Sequence, residues 1–362
     1  MKKVVVSGMI GNALEWYDFA LYGYFASIIS KQFFPNVDPY ISLIATFGAF
    51  AAGFLMRPFG AILFGILGDR YGRKVSLAIA ILMMAIPTAL IGALPTYEQI
   101  GILAPVLLTI IRLMQGLSLG GEFSGSITFI VEHSKDNRRG IAGSTTVISL
   151  VAGMLLGSIV ATIFTKLLST EDLESWGWRI PFIIGIAIGF VGFYIRHHTH
   201  ESPKYLRMKE LGAISKHPLR DVFTKHIMKV AQGIGLYLSV TVPFYVFSVF
   251  MITYYSKIIG APLEDALLLN LIGMLFLMPI ILVSGWASDK IGRKRIMVAA
   301  AIGYLVFAYP IFSLMASGVF VYALTAQIIF AIFLGFYIGP IPAVLVELFP
   351  TSVRYTGMAI SY

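Results

Sequence analysis

The sequence predicts an all-α integral membrane protein of ten or eleven spanning helices. Its 362 residues are 58% hydrophobic and only 12% charged, with a mean hydropathy of +0.85, whereas a soluble domain carries about 25% charged residues. The apolar stretches run for ~20 residues without period-2 alternation, which in lipid means helices that satisfy their own backbone hydrogen bonds, not barrel strands. The basic residues fall in short gaps between those stretches, a pattern that encodes membrane topology rather than affinity for nucleic acid.

Taken in order, the apolar runs place spans at about residues 5–30, 41–66, 76–94, 101–131, 141–165, 180–195, 227–256, 266–287, 296–316 and 320–347, and an eleventh opens at 356–362. The N-terminal run begins with Lys2 and Lys3 but continues past Asp18 without a small-residue cleavage site, so it reads as a span and not a leader. With the N-terminus inside, 21 of the 27 basic residues lie in cytoplasmic segments, and only Lys31, Lys166, Arg179 and Lys257 lie outside. This asymmetry predicts a multi-pass protein of the cell inner membrane with a cytoplasmic N-terminus. The longest polar gap, 196–226, carries Pro203, Gly212 and Pro218 and is expected to link an N-terminal bundle (1–195) to a C-terminal one (227–362). Its histidines, including His197, His198 and His200, match no zinc spacing and are expected in a solvated basic loop. The chain has no cysteine, hence no disulfide or thiolate metal site.

An internal repeat sets the architecture. GILGDRYGRK at 65–74 recurs as GWASDKIGRK at 285–294, 220 residues later, and the pairs Glu132/Arg139 and Glu347/Arg354 repeat at an offset of 215. Two loops repeating with one sidedness imply two parallel halves of six helices, with the solute site between them. By the same logic roughly 50 further residues are expected after Tyr362, so the second half reads as lacking most of its last two helices. The expectation is therefore of a fragment, or of a truncated product that would be a non-transporting remnant.

These loops resemble the signature of the major facilitator superfamily, and RLMQGLSLGGE at 112–122 resembles its fourth-helix motif. GNALEWYDFALYGYF at 11–25, RPFGAILFGILGDRYGRK at 57–74 and ELFPTSVRYTG at 347–357 resemble the metabolite:proton symporter branch, which includes proline/betaine and α-ketoglutarate transporters. The resemblance implies the major facilitator fold and alternating access. The fifth span, VISLVAGMLLGSIVAT, lacks the proline typical of drug/proton antiporters in this superfamily, which favours symport.

An ionisable group in hydrocarbon costs at least ~2.5–3.5 kcal/mol, so charges inside spans mark candidate machinery. Glu15, Asp18 and Glu122 are expected to couple protons, the alternative being a static lattice of ion pairs between helices. Asn12, Glu15, Asp18 and Tyr22 share one face of the first helix by their spacing. Arg57 and Glu122 lie ten to twelve residues from the cytoplasmic edge, roughly 15–18 Å deep at ~1.5 Å per residue. Arg57 and Arg112 are candidates for a solute carboxylate, and Tyr22, Tyr237 and Tyr245 for the cationic end of a zwitterion. Asp69, Arg70, Gly72, Arg73, Lys74, Glu132 and Arg139 of the first half, and Asp289, Lys290, Gly292, Arg293, Glu347 and Arg354 of the second, are expected to form a cytoplasmic gate.

The functional expectation is proton symport of a small carboxylate-bearing solute such as proline or glycine betaine. The competing expectations are an α-ketoglutarate or other dicarboxylate symporter, a uniporter, and the remnant. The partners expected are solute, protons and the lipid bilayer, with no nucleic acid, no metal, no cofactor beyond the proton gradient, and a monomeric transport unit. The chain has no P-loop and no nucleophile elbow, which argues against an enzyme.

Overall fold

The computed structural model describes residues 1–36 and 38–362; among these it is mostly helical and has no strand. We number the long helices α1 (Lys2–Tyr24), α2 (Pro39–Arg70), α3 (Arg73–Ala93), α4 (Leu103–His133), α5 (Arg139–Leu167), α6 (Arg179–His197), α7 (Ile227–Tyr245), α8 (Leu263–Ile291), α9 (Arg293–Ala316) and α10 (Phe320–Ile338), followed by a short α11 (Arg354–Ser361). Among the described residues nine helical stretches are long and apolar enough to cross a membrane; α1, with its two acids, packs among them.

Local sequence explains where the helices start and stop. Pro39 opens α2 at the position where a missing N–H costs nothing, and Asp38 caps it by accepting from Tyr40 N at 2.8 Å. Gly72 and Gly292, at φ +118° and +103°, part α2 from α3 and α8 from α9. Three predicted spans are less regular than expected. The first ends at Tyr24 and resumes as a separate helix, Ala26–Phe33. The seventh passes, after Pro243, into two π-helical turns, Val246–Phe250 and Tyr254–Ile258. The tenth breaks at Gly339–Pro340 and resumes at Ile341–Leu348, because prolines at 340 and 342 withhold two backbone donors.

In the first set of helices α2 lies on α4, α1 on α5 and α3 on α6; in the second, α8 and α9 both lie on α10. The two sets meet along α5 with α8 and α2 with α11. Small residues allow both kinds of approach. A Cβ on Gly53 of α2 would stand 2.8 Å from the Arg112 carbonyl of α4, and one on Gly285 of α8 would stand 2.7 Å from the Gly140 carbonyl of α5.

The polar stretch after α6 exposes His197, His198, His200 and His217, as expected, but it is not solvated throughout. Thr199, Ser202, Tyr205, Met208 and Val222 are buried, and short helices at Pro203–Glu210 and Pro218–Lys225 pack beneath the bundle. Arg196, expected at the membrane edge, is 2% exposed and turns its side chain back among α1, α3 and α4.

Candidate functional site

Midway along the helices, α1, α2, α4, α5, α7 and α10 enclose a cavity of about 170 Å³. Pockets for drug-sized ligands run to ~300–1,000 Å³, so this one suits a small solute. Its charged lining residues are Glu15 from α1 and Arg57 from α2; the rest is largely aromatic and aliphatic, with Trp16, Phe19, Phe244 and Tyr245 on one wall and Tyr237 and Tyr362 on another. Arg57 lies 3.6 Å above the Tyr362 ring, and that ring packs on Tyr237 and Phe123 with centroids 4.6 and 4.8 Å away. Three buried donors here lack acceptors among the described residues: the Arg57 guanidinium through Nε and Nη2, the Trp16 indole N–H and the Tyr237 hydroxyl.

The three acids expected to act together stand in three different settings. Asp18 is bound through both oxygens, by Arg112 Nη1 at 2.5 Å and by Gln115 Nε2 at 3.0 Å. Gln115 also accepts from Arg112 Nη1 at 2.6 Å and donates to Thr88 at 2.9 Å. Glu122 is gripped by both terminal nitrogens of Arg196, whose Nε donates to the Ser7 carbonyl at 2.9 Å. Gly11 leaves room for this pair, since a Cβ there would overlap the Glu122 carboxylate and the Arg196 guanidinium as they stand. Glu15, by contrast, has no ion-pair partner among the described residues and opens on the cavity.

Two residues expected at the solute lie elsewhere. Arg112 faces Asp18 and stands 3.8 Å over the Tyr22 ring, and the Tyr22 hydroxyl donates to the Thr46 carbonyl at 2.9 Å. Neither lines the cavity: Asp18 and Gln115 hold the Arg112 guanidinium away from it. Arg57, Tyr237 and Tyr245 do line it. Trp16 and Phe244, aromatics that the sequence also offers for a cation, line the cavity as well, whereas sequence spacing missed Tyr362 as a lining residue and Arg196 as the partner of Glu122.

At the end of the bundle that carries Lys2 and Lys3 the repeated loops interlock across the two sets. Asp69 accepts from the backbone N–H of Tyr355 and Thr356 at 3.2 and 2.9 Å, capping α11, and Asp289 accepts from Gly140 and Ile141 at 2.8 and 2.9 Å, capping α5. Carboxylates at helix N-termini are favoured by the backbone dipoles. Glu132 pairs with Arg73 at 3.3 Å and Arg354 at 2.6 Å and accepts from Ser202 Oγ. Glu347 pairs with Arg293 at 3.3 Å and Arg139 at 3.7 Å. Arg73 donates to the Thr351 carbonyl at 2.7 Å. Lys74 donates to the His197 carbonyl at 2.6 Å, and Glu201 accepts from Lys74 N. Arg70 and Lys290 are exposed outside this network, lying over Tyr71 and Trp286 respectively.

Two sets of helices interlocked by repeated loops around a cavity midway along them make a transporter architecture, and comparison with known proteins agrees. Residues 4–362 match the family model described as sugar (and other) transporter. The chain belongs to this family of the major facilitator superfamily. It is 34% identical over 374 residues to the proline/betaine transporter of Salmonella typhimurium (strain LT2), covering all of this chain and 74% of that protein. The similarity is the same, 34% with 74% covered, to the glycine betaine/proline/ectoine/pipecolic acid transporter OusA of Dickeya dadantii (strain 3937). It is 36% identical to the putative proline/betaine transporter of Staphylococcus aureus (strain COL), covering 78% of it. In fold it is similar to the proton:xylose symporter XylE bound to 6-bromo-6-deoxy-D-glucose, with a TM-score of 0.80 at 19% identity over 99% of this chain and 84% of that one. This member of the family is thus a secondary transporter embedded in a membrane, not an enzyme.

Proposed function

We propose that the transporter is a proton symporter of a small carboxylate-bearing zwitterion such as proline or glycine betaine, working by alternating access between the halves 1–195 and 227–362, joined by 196–226. The observation that carries this reading is Arg57: a guanidinium in a small cavity whose buried Nε and Nη2 have no acceptor among the described residues. Leaving such donors unpaired is costly, and a carboxylate is the group that fits a guanidinium fork. The names of the relatives support the same solutes. A dicarboxylate would want a second cation, and Arg112 is already held by Asp18, which disfavours that alternative.

Coupling falls to Asp18 of α1 and Glu122 of α4. Asp18 with Arg112, and Glu122 with Arg196, are each poised so that protonation would release a guanidinium from its partner and loosen one helix from another. On this reading the membrane is the inner one, the end bearing Lys2 and Lys3 is cytoplasmic, which the distribution of basic residues supports, and Asp69, Arg73, Glu132, Arg139, Asp289, Arg293, Glu347 and Arg354 form a closed cytoplasmic gate. The transport unit is a single chain, with no cofactor beyond the proton gradient.

The test is uptake of radiolabelled proline, betaine and α-ketoglutarate into proteoliposomes with and without an inward proton gradient. Gradient-dependent uptake of proline or betaine is expected. Arg57→Lys, which keeps the charge but loses the fork, should weaken solute binding by roughly tenfold or more. Uptake indifferent to the gradient would instead mean a uniporter, and no uptake of any of the three would overturn the reading.

A further inference from the structure

We propose that Glu15 is the specificity-determining residue for the cationic end of the solute, so that the cavity selects zwitterions over simple anions of the same shape. The inference rests on the reading of the cavity as the solute site and gives Glu15 a task different from that of the other two acids.

The argument is one of unmatched charge. Asp18 and Glu122 each have a private arginine, in Arg112 and Arg196. Glu15 and Arg57 line the same cavity, yet among the described residues neither forms an ion pair, with the other or elsewhere, and Arg57 Nε and Nη2 have no acceptor. Opposite charges that line one largely apolar enclosure without an ion pair are costly to keep there, and the Tyr362 ring under Arg57 offsets only part of that cost. A ligand bearing both complementary charges removes both penalties at once, whereas a plain carboxylate would satisfy Arg57 and leave Glu15 exposed to a second anion. The wall next to Glu15 suits a cation that cannot donate hydrogen bonds. Trp16 meets Phe19 edge-on at 5.7 Å and Phe244 at 6.3 Å, and aromatic faces attract quaternary ammonium groups through their quadrupoles. The opposite wall supplies neutral donors to the carboxylate, since the Tyr237 hydroxyl is buried and unpartnered among the described residues. Glu15, the three rings, Arg57 and Tyr237 therefore divide the cavity into a cation end and a carboxylate end.

The experiment compares isosteres that differ only in the positive charge: betaine against tert-butylacetate, and proline against cyclopentanecarboxylate, as competitors of radiolabelled betaine binding to the purified full chain. The wild type is expected to prefer each zwitterion at least about tenfold over its isostere, the equivalent of ~1.4 kcal/mol. Glu15→Gln should bring the ratio close to one by losing affinity for the zwitterions, and Glu15→Asp, which keeps the charge, should retain the preference. An unchanged ratio in Glu15→Gln would overturn the inference, as would equal loss of all four ligands in both variants, which would mark Glu15 as structural. A wild type that binds the carboxylates as well as the zwitterions would sink this inference and leave the transport reading standing; a wild type that binds none of the four, and takes none up in proteoliposomes, would sink the transport reading itself.

Discussion

Glu15 and Asp18 lie within one turn of α1, yet one opens on the cavity and the other is tied down by Arg112 and Gln115. Their spacing put both on one helix face, which was correct; what spacing does not carry is the identity of the partner, and Arg112 lies 94 residues away in sequence. The same limit hid Arg196, 74 residues from Glu122, behind a position that read as the edge of a basic loop. Replacing one member of such a buried pair strands the other. Asp18→Asn is therefore expected to destabilise the protein by ~3–5 kcal/mol, and the double variant Asp18→Asn with Arg112→Met by clearly less. Thermal unfolding in detergent measures both, and equal losses would show that the pair contributes nothing as a pair.

Among the elements, the α2–α4 contact has the most direct bearing on the cavity. Gly120 on α4 sits against the backbone of α2 at Arg57, Gly60 and Ala61, so the closeness of these helices fixes where the Arg57 side chain begins. Gly120→Val would push α2 outward. Overpacking of this kind costs ~1–3 kcal/mol, and solute affinity should fall although residue 120 does not line the cavity; equilibrium dialysis alongside a melting curve separates the two effects. The Gly116-x-x-x-Gly120 spacing was visible in the sequence, and so were most of the helices, because twenty-residue apolar runs leave little choice in lipid. The breaks within them were harder to place. The π-helical turns of the seventh span depend on tertiary support, such as Asn270 Nδ2 donating to the Ser248 carbonyl at 2.9 Å, which no local pattern announces.

For the whole molecule, the repeat at offsets of 220 and 215 was the most informative sequence feature, and the structure shows what it encodes: each half caps a helix of the other. Asp69→Asn is expected to weaken the cytoplasmic closure and raise the population open to the cytoplasm. Because the chain has no cysteine, spin labels at Lys135→Cys and Lys294→Cys report this as a longer inter-label distance, and an unchanged distribution would contradict the gate.

The crossed caps also make the closure bivalent. While one cap holds, the other carboxylate is kept beside its helix at a high effective concentration, so that it rebinds faster than the halves can part. Losing one cap thus sacrifices the avidity of both. Opening should behave as a cooperative event with few half-open states, and Asp289→Asn added to Asp69→Asn should change the open population far less than the first substitution did.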